Sequence, residues 1–157
     1  MWICPRCGRE FRNTNQSHTC RLIDKEQLFA KRPPQLKGIY KKIVSVVKTL
    51  GEFREETVMP DVIFFKTVST FLGVKVKRDH LEVEFFLDHL DNAPVVSKHL
   101  QTSAHRFVHL VPVDSPDEID DQLKNWIKHS YQLVLSKKIK NDDEWHSTIP
   151  AANGRSK

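Results

Sequence analysis

All three cysteines of the chain lie within its first twenty residues, and their spacing limits what this segment can fold into. Cys4 and Cys7 form a Cys-x-x-Cys turn, and after ten intervening residues come His18 and, two positions on, Cys20. Two ligands from a tight turn and two from a second short segment are typical of a structural zinc site. Three thiolates and one imidazole complete a tetrahedron without an open position for water or substrate. The four residues therefore predict a structural zinc ion, which folds the segment and does not catalyse a reaction.

Two other uses of the cysteines fit less well. A disulfide would leave one of the three unpaired, and because no signal peptide precedes them we expect a cytoplasmic protein with reduced thiols. A redox Cys-x-x-Cys turn usually follows a strand and opens a helix, whereas Cys4 lies almost at the N terminus. His18 and Cys20 are unusually close for second-half ligands, but in an extended segment residues two apart point to the same side. Roughly twenty residues cannot bury a core of their own, so without metal the segment is expected to be unfolded.

Length and composition indicate that the residues C-terminal to this segment form one domain of ordinary size. The chain has 157 residues, of which 39% are hydrophobic and nine are phenylalanines, and this is enough for a buried core. No apolar run approaches the roughly twenty residues of a membrane span, so we expect no membrane partner. The predicted organisation is a zinc-binding head over residues 1–22, a folded body over 23–137 and a polar C-terminal tail over 138–157.

Charge is distributed unevenly along the chain. Residues 1–51 contain eleven Lys and Arg but three Asp and Glu, whereas residues 52–157 contain fourteen and seventeen, so the net charge of +5 hides a basic N-terminal third. Such a segment favours an anionic partner, either nucleic acid or a protein, although a solvated lysine face on a helix is the plainer interpretation. The sequence contains no base-reading motif. The candidate binding residues are Arg6, Arg9, Arg12 and Arg21 from this third, with Lys66, His105 and Arg106 from the body.

Two segments have the apolar periodicity of amphipathic helices. Behind the Pro33-Pro34 pair, apolar residues recur at three- and four-residue steps as far as residue 50. Ser115 is predicted to cap the second long helix, with Glu118 reaching back to it in a capping box. A shorter helix is expected over residues 24–29.

The strands are best defined by a hairpin whose two arms are Thr70–Lys77 and His80–Leu87. With Arg78-Asp79 as the turn, the apolar residues of the two arms face each other on one side, and Lys75 faces Glu82 on the other side. A slip of one residue would expose the apolar set, so the pattern fixes the register. At the turn this register places Lys77 beside His80. The predicted cross-strand pairs beyond the turn are Val76 with Leu81, Val74 with Val83, Leu72 with Phe85, Lys75 with Glu82, Gly73 with Glu84 and Phe71 with Phe86.

The order of the elements indicates the fold class. Helix, strands and helix in sequence are typical of an α+β domain. We expect an antiparallel sheet of four to six strands, covered on one face by two amphipathic helices and solvated on the other, with a small N-terminal zinc knuckle. The further predicted strands are Arg54–Val58, Asp61–Thr67, Val95–Leu100 and Ala104–Pro112.

Two parts of the sequence resemble a known family. The segment from Trp2 to Phe11, together with Asn15–Cys20, resembles the zinc-finger head found on some members of an uncharacterised bacterial family, the domain of unknown function 5655. Phe65–Phe86, and His105–Phe107 running into Ser115–Ile127, resemble the main body of that family. The resemblance implies a small α+β domain in the bacterial cytosol. It implies no reaction, because the family brings no catalytic residues to carry over.

A metal-dependent nuclease, or another enzyme acting on a phosphate-bearing substrate, is the alternative. Pro60-Asp61 followed by Glu82-Val83-Glu84 is distantly similar to the carboxylate pair that holds Mg²⁺ in restriction-type nucleases. The position where that motif needs lysine is Glu84, however, and Glu82 is paired with Lys75 in the predicted hairpin. Because the sequence also contains no phosphate-binding loop and no nucleophile motif, we favour a non-catalytic binding module.

Overall fold

A computed structural model describes residues 1–18, 20, 24–59 and 61–136. A short 3-10 turn precedes the last helix. In chain order the elements are β1 (Trp2–Ile3), β2 (Glu10–Phe11), α1 (Lys25–Phe29), α2 (Pro34–Lys48), β3 (Arg54–Met59), β4 (Val62–Lys66), β5 (Thr70–Val76), β6 (Leu81–Leu87), β7 (Lys98–Ser103), β8 (Arg106–Val113) and α3 (Asp121–Ser136).

Strands β3 to β8 form one antiparallel sheet in the order β3-β4-β5-β6-β8-β7. Helices α2 and α3 pack on one face of it. The ring of Tyr40 in α2 lies 6.0 Å from that of Phe65 in β4, and Trp126 in α3 stacks on Phe85 in β6 at 5.1 Å. The described residues therefore have the predicted α+β architecture, with a sheet at the upper end of the predicted size. β1 and β2 form a separate two-stranded sheet in the head.

Helix α2 forms where the periodicity predicts it. Its first turn holds Pro34, whose missing N–H has no helical partner to lose. Burial of each side chain of its apolar stripe stabilises the fold by about 2 kcal/mol. That stripe consists of Leu36, Ile39, Tyr40, Ile43 and Val47. The helix ends at Lys48, and Gly51 then adopts φ +145°, a conformation that favours glycine.

The β5–β6 hairpin has the predicted register, and five of the six predicted cross-strand pairs form. The sixth, Phe71 with Phe86, does not. A β-bulge shifts the pairing of β4 with β5 at this end, and the Phe71 ring packs edge-on against Tyr131 of α3 at 4.9 Å. A bulge cannot be read from strict alternation, because it inserts one residue into the two-residue period.

At this bulge, the side chain of a buried serine of α3 forms hydrogen bonds with the backbone of both strands of the hairpin. The Ser130 hydroxyl donates to the Phe71 carbonyl at 2.6 Å and accepts from the Phe86 N–H at 3.1 Å. Its side chain is excluded from solvent. One hydroxyl therefore ties the helix to both strands of the hairpin.

Replacing this serine by alanine is expected to destabilise the body by about 2 kcal/mol, because the buried Phe71 carbonyl loses this donor and the Phe86 N–H loses this acceptor. The measurement is the free energy of unfolding in urea for Ser130→Ala. Ser45→Ala is the matched control, since the Ser45 hydroxyl is exposed and bonds only within its own helix. If both substitutions changed the free energy of unfolding equally, the two hydrogen bonds of the Ser130 hydroxyl would make no net contribution to stability.

The start of α3 differs from the prediction. Ser115 caps the 3-10 turn Pro116–Glu118, and α3 begins later, at Asp121. The carboxylate of Asp120 accepts from the Leu123 N–H at 2.9 Å and so acts as the cap of α3. Ser115 and Asp120 lie five positions apart and both are residue types that cap helices. The sequence pattern does not distinguish which of them precedes the long helix.

The second face of the sheet is more buried than predicted. Phe64, Glu84 and Val108 on this face are only 8%, 4% and 1% exposed. Burial raises the pKa of Glu84 above its ordinary value. Part of the cover is the head, whose Arg9 reaches Glu56 of β3 on this face. Alternation predicts which residues share a face, but it does not show what packs on that face.

The predicted tail over residues 138–157 lies outside the described residues. Of the helices that the structure describes, none combines the length and the apolar character needed to cross a lipid bilayer.

Candidate metal centre

The first two ligands are positioned by the small sheet of the head. β1 and β2 pair in antiparallel fashion, and residues 4–9 form the connection between them. The Gly8 N–H donates to the Cys4 carbonyl at 2.8 Å, and the Cys4 N–H donates to the Arg9 carbonyl at 3.0 Å. Gly8 adopts φ +75°, which a residue without Cβ does at no steric cost. The tight turn that results places both thiols in one group of ligand atoms.

The four residues singled out by the sequence are brought together. The ligand atoms of Cys4, Cys7, His18 and Cys20 all lie within 4.8 Å of one another. The sulfurs of Cys4 and Cys20 are 3.7 Å apart, and His18 Nε2 lies 3.4 Å from the sulfurs of Cys7 and Cys20.

The three shortest of these separations, 3.7, 3.4 and 3.4 Å, are close to the edges of a coordination tetrahedron. Bonds of about 2.3 Å to sulfur and about 2.0 Å to nitrogen require sulfur–sulfur edges of about 3.8 Å and sulfur–nitrogen edges of about 3.5 Å. All three cysteines are free thiols, and a disulfide would bring two sulfurs to about 2.0 Å. The group could therefore hold one metal ion, with three sulfurs and one nitrogen as ligands.

The His18 ring is oriented by a hydrogen bond on its far side. Nδ1 donates to the Gln16 carbonyl at 2.7 Å, which leaves Nε2 as the nitrogen directed at the sulfurs. This hydrogen bond raises the pKa of His18 above its ordinary value, with the neighbouring thiols adding to the shift. Metal-bound histidines typically have their second nitrogen fixed in this way, because it sets both the tautomer and the ring plane.

Arg9 favours the thiolate form of the nearest cysteine. Burial acts to raise the pKa of Cys7, but hydrogen bonds from the Arg9 backbone, the Arg9 side chain and His18 lower it to about 6. The thiolate, not the thiol, is the form that binds metal. The head therefore favours the ligand form of Cys7 before any ion arrives.

Aromatic rings pack behind the ligands. Phe11 stacks on the His18 ring with centroids 4.1 Å apart, and Trp2 lies 5.9 Å from Phe11 and 6.0 Å from His18. Phe11 and Cys4 are buried. This packing holds one face of the imidazole ring, while the hydrogen bond to Gln16 fixes the edge that contains Nδ1.

The head contacts the body through a cluster of ion pairs centred on Glu56 of β3. Arg9 lies 4.0 Å from it, Lys66 of β4 lies 3.4 Å from it, and Arg54 lies 3.7 Å both from it and from Glu10 of the head. The side chain of Glu56 is only 9% exposed. Burial lowers the pKa of Lys66, with Glu56 opposing the shift and the two arginines adding to it. A nearly buried ionic cluster thus joins the metal-ligand segment to the sheet.

The body matches a family model. Residues 25–134, well over half of the chain, match a domain of unknown function, DUF5655. The chain belongs to this family. The four possible metal ligands lie before the first matched residue, so the head is outside the part of the chain that matches DUF5655. No curated protein and no solved structure matches the chain.

The predicted binding residues of this DUF5655 protein occupy different environments. Arg6 and Arg12 are exposed in the head, and His105 is exposed in the turn before β8. The other three described residues are nearly enclosed: the Arg9 side chain is 10% exposed, and Lys66 and Arg106 are 7% and 4% exposed. The seventh, Arg21, lies outside the described residues.

The residue that sequence reasoning missed is Glu56. The signal was present but weak: two adjacent glutamates in a predicted strand, Glu55 and Glu56, place one carboxylate on each face of the sheet. Nothing in the pattern indicates that the head would supply the partner for one of them.

The carboxylates of the nuclease alternative do not form a metal group. Among the described residues, the Cys3His set is the one group of three or more ligand side chains close enough to share an ion, and Asp61, Glu82 and Glu84 do not form a second group of three. Glu82 pairs across the hairpin with Lys75, as predicted. Burial favours the protonated form of Glu84, which is a poor ligand for Mg²⁺.

His109 is committed to the fold of the body and not to a site. Its Nε2 accepts from the Asp91 N–H at 3.0 Å, Nδ1 faces the Phe107 carbonyl at 3.2 Å, and its ring stacks on Phe85 at 5.3 Å. Burial lowers the pKa of His109 below its ordinary 6.5, although the Phe107 carbonyl opposes the shift. The neutral ring is the form that accepts the Asp91 N–H.

This burial predicts a pH dependence of stability. The unfolded chain binds a proton at His109 near pH 6.5, whereas the folded chain binds it only at lower pH. The neutral His109 ring therefore makes its full contribution to the free energy of unfolding above about pH 6.5, and this contribution is lost as the pH falls below that value. The loss is at most about 1.4 kcal/mol per pH unit. We expect His109→Gln to flatten the dependence of the unfolding free energy on pH between 7.5 and 5.5. His105→Gln, at an exposed ring, is the control, and a slope that His109→Gln leaves unchanged would contradict the assignment.

Proposed function

We propose that this DUF5655 protein is a non-catalytic binding module whose head is folded by a structural zinc ion. The observation that carries the proposal is the closed four-ligand group, which is attached to the sheet through Glu56. Tetrahedral sets of three thiolates and one imidazole are typical of structural zinc, whereas catalytic zinc has three protein ligands and one open position. Three free thiols are typical of a reducing compartment, which supports a cytoplasmic location.

The attachment of the head supports a function in binding. Arg9 is used inside the protein, between Cys7 and Glu56, but Arg6 and Arg12 are exposed on the same small segment. An ion that fixes the turn also fixes the backbone from which these two side chains extend, so less backbone conformational entropy is lost when a partner binds. Arginine is well suited to bidentate contacts with phosphate groups. We therefore propose nucleic acid as the partner class, with an acidic protein surface as the alternative outcome.

The proposal predicts salt-dependent binding. The zinc-loaded full chain should raise the fluorescence anisotropy of labelled 20-nucleotide single strands, duplexes or RNA at low salt, with affinity falling steeply as salt is added. Replacing both exposed arginines, Arg6→Glu with Arg12→Glu, should weaken binding and reduce the salt slope by about 2. Lys77→Glu with Arg78→Glu, a matched charge reversal in the β5–β6 turn, should lower affinity much less.

Two results would contradict nucleic-acid binding. The first is no anisotropy change at low ionic strength with any of the three probes, which would leave an acidic protein surface as the partner to test. The second is equal weakening by the two double variants, since this would mean that only the net charge of the chain matters.

A further inference from the structure

A groove of about 290 Å³ lies between α1 and α2, on the helical side of the body and away from Glu56. Its floor is apolar and consists of Phe29, Tyr40 and Val44, with the first two rings 5.4 Å apart. Four lysines surround the floor: Lys25, Lys37, Lys41 and Lys48. Apolar floors with a few polar groups at the rim are typical of small-molecule sites, and this volume is at the lower end of their range.

Two of the four lysines are already neutralised. Lys25 lies 2.8 Å from Glu55, and Lys37 pairs with Glu26. Lys41 and Lys48 are both exposed, and neither makes an ion pair with any residue in the part of the chain that the structure describes. The groove therefore has two ammonium groups on its rim whose charge is not balanced by the protein.

The floor of the groove is held apolar and uncharged. The Tyr40 hydroxyl donates to Glu55, and the Lys25 ammonium lies 5.4 Å from the centre of the same ring. Burial, followed by the Glu55 carboxylate, raises the pKa of Tyr40 well above its ordinary value, so the phenol stays protonated. The Glu55 carboxylate accepts the hydrogen bond from Tyr40 and forms an ion pair with Lys25, so it does not present a free negative charge to a ligand.

We propose that this groove binds a small organic anion with an apolar body, that is, a ring or short acyl chain bearing one carboxylate, sulfonate or phosphate group. The apolar part would lie on Phe29, Tyr40 and Val44, and the anionic group would meet Lys41 and Lys48. Such a ligand would cover the part of the floor that is still exposed, chiefly Val44 because Phe29 and Tyr40 are only 8% and 4% exposed, and it would give the two ammonium groups a counter-charge. The site is independent of the metal-binding head.

The test uses 8-anilinonaphthalene-1-sulfonate, a fluorescent aromatic sulfonate that has both required parts. Titration into the full chain should give saturable enhancement with one site. Lys41→Glu with Lys48→Glu should weaken this binding by about tenfold or more, since two favourable charge contacts become repulsive. The uncharged analogue N-phenyl-1-naphthylamine should bind more weakly than the sulfonate to the parent protein and should be affected little by the substitutions.

The matched control is Lys124→Glu with Lys128→Glu, the same charge change in the neighbouring groove between α2 and α3. It should leave sulfonate binding within about twofold of the parent, since those ammonium groups do not line the α1–α2 groove. Thermal unfolding of both double variants shows that each is folded. Absence of saturable binding, equal weakening by the two double variants, or equal affinity for the sulfonate and the uncharged analogue would each overturn the proposal.

Discussion

Cys7→Ser is expected to abolish metal binding and to unfold the head while the body stays folded. Three ligands remain in this variant, but a serine hydroxyl does not replace a thiolate as a zinc ligand. Structural zinc contributes about 10–16 kcal/mol to the folding of small zinc-finger peptides, and the head buries few apolar side chains of its own. Loss of the ion therefore removes most of what stabilises this segment. The body retains its separate apolar core between the sheet and the two long helices.

Amide hydrogen exchange followed by mass spectrometry distinguishes these two parts. In the variant, residues 1–18 should exchange at the rate of an unfolded chain, whereas α3 and strands β4 to β6 should keep their protection. Arg6→Ser is the matched control, because it introduces the same residue into the same turn at a position that is not a ligand. Protection of the head that persists in Cys7→Ser would show that packing alone folds it.

Glu56→Gln is expected to destabilise the protein by about 3 kcal/mol, because the nearly buried ammonium group of Lys66 loses the carboxylate beside it and Arg9 loses one of its partners. The glutamine has nearly the same size and shape, so the effect comes from charge and not from a cavity. Metal content should be unchanged, since Glu56 is not a ligand. The measurement is the unfolding free energy of the metal-loaded protein in urea.

The control for this prediction is Glu10→Gln. Glu10 also pairs with Arg54, at 3.7 Å, but its side chain is 42% exposed. Pairs of this kind contribute about 0–1 kcal/mol. If the two substitutions were equally mild, the ionic cluster would be incidental to the attachment of the head, and a different contact would have to hold it against the sheet.

The parts of the fold that could be predicted from the sequence are those set by local rules. The helix after Pro34 follows from a periodic stripe and an N-terminal proline, and both are contained in fifteen consecutive residues. The β5–β6 hairpin follows because one register satisfies the apolar pairs and the Lys75–Glu82 pair together. The metal-ligand group follows from spacing, since a Cys-x-x-Cys turn and a His-x-Cys pair on an extended segment each direct two ligand atoms to the same side.

What could not be predicted depends on contacts between elements that are distant in sequence. The Ser130 hydroxyl reaches a carbonyl 59 positions away, and no local pattern marks that serine as different from an exposed one. The burial of Glu56 depends on the arrival of the head. Of the arginines in the head, Arg9 is turned inward to Cys7 and Glu56. Composition gives the charge of the N-terminal third but not which guanidinium groups are used within the protein.

We propose that one zinc ion, held by Cys4, Cys7, His18 and Cys20, organises the head. The most direct test is elemental analysis of the purified full chain after dialysis against metal-free buffer, with free thiols counted in parallel before and after denaturation with a chelator. We predict about one zinc ion per chain, three thiols that react only after denaturation with chelator, and no zinc in Cys7→Ser. A chain that holds no metal yet keeps a protected head, or a Cys7→Ser variant that retains its zinc, would contradict the account.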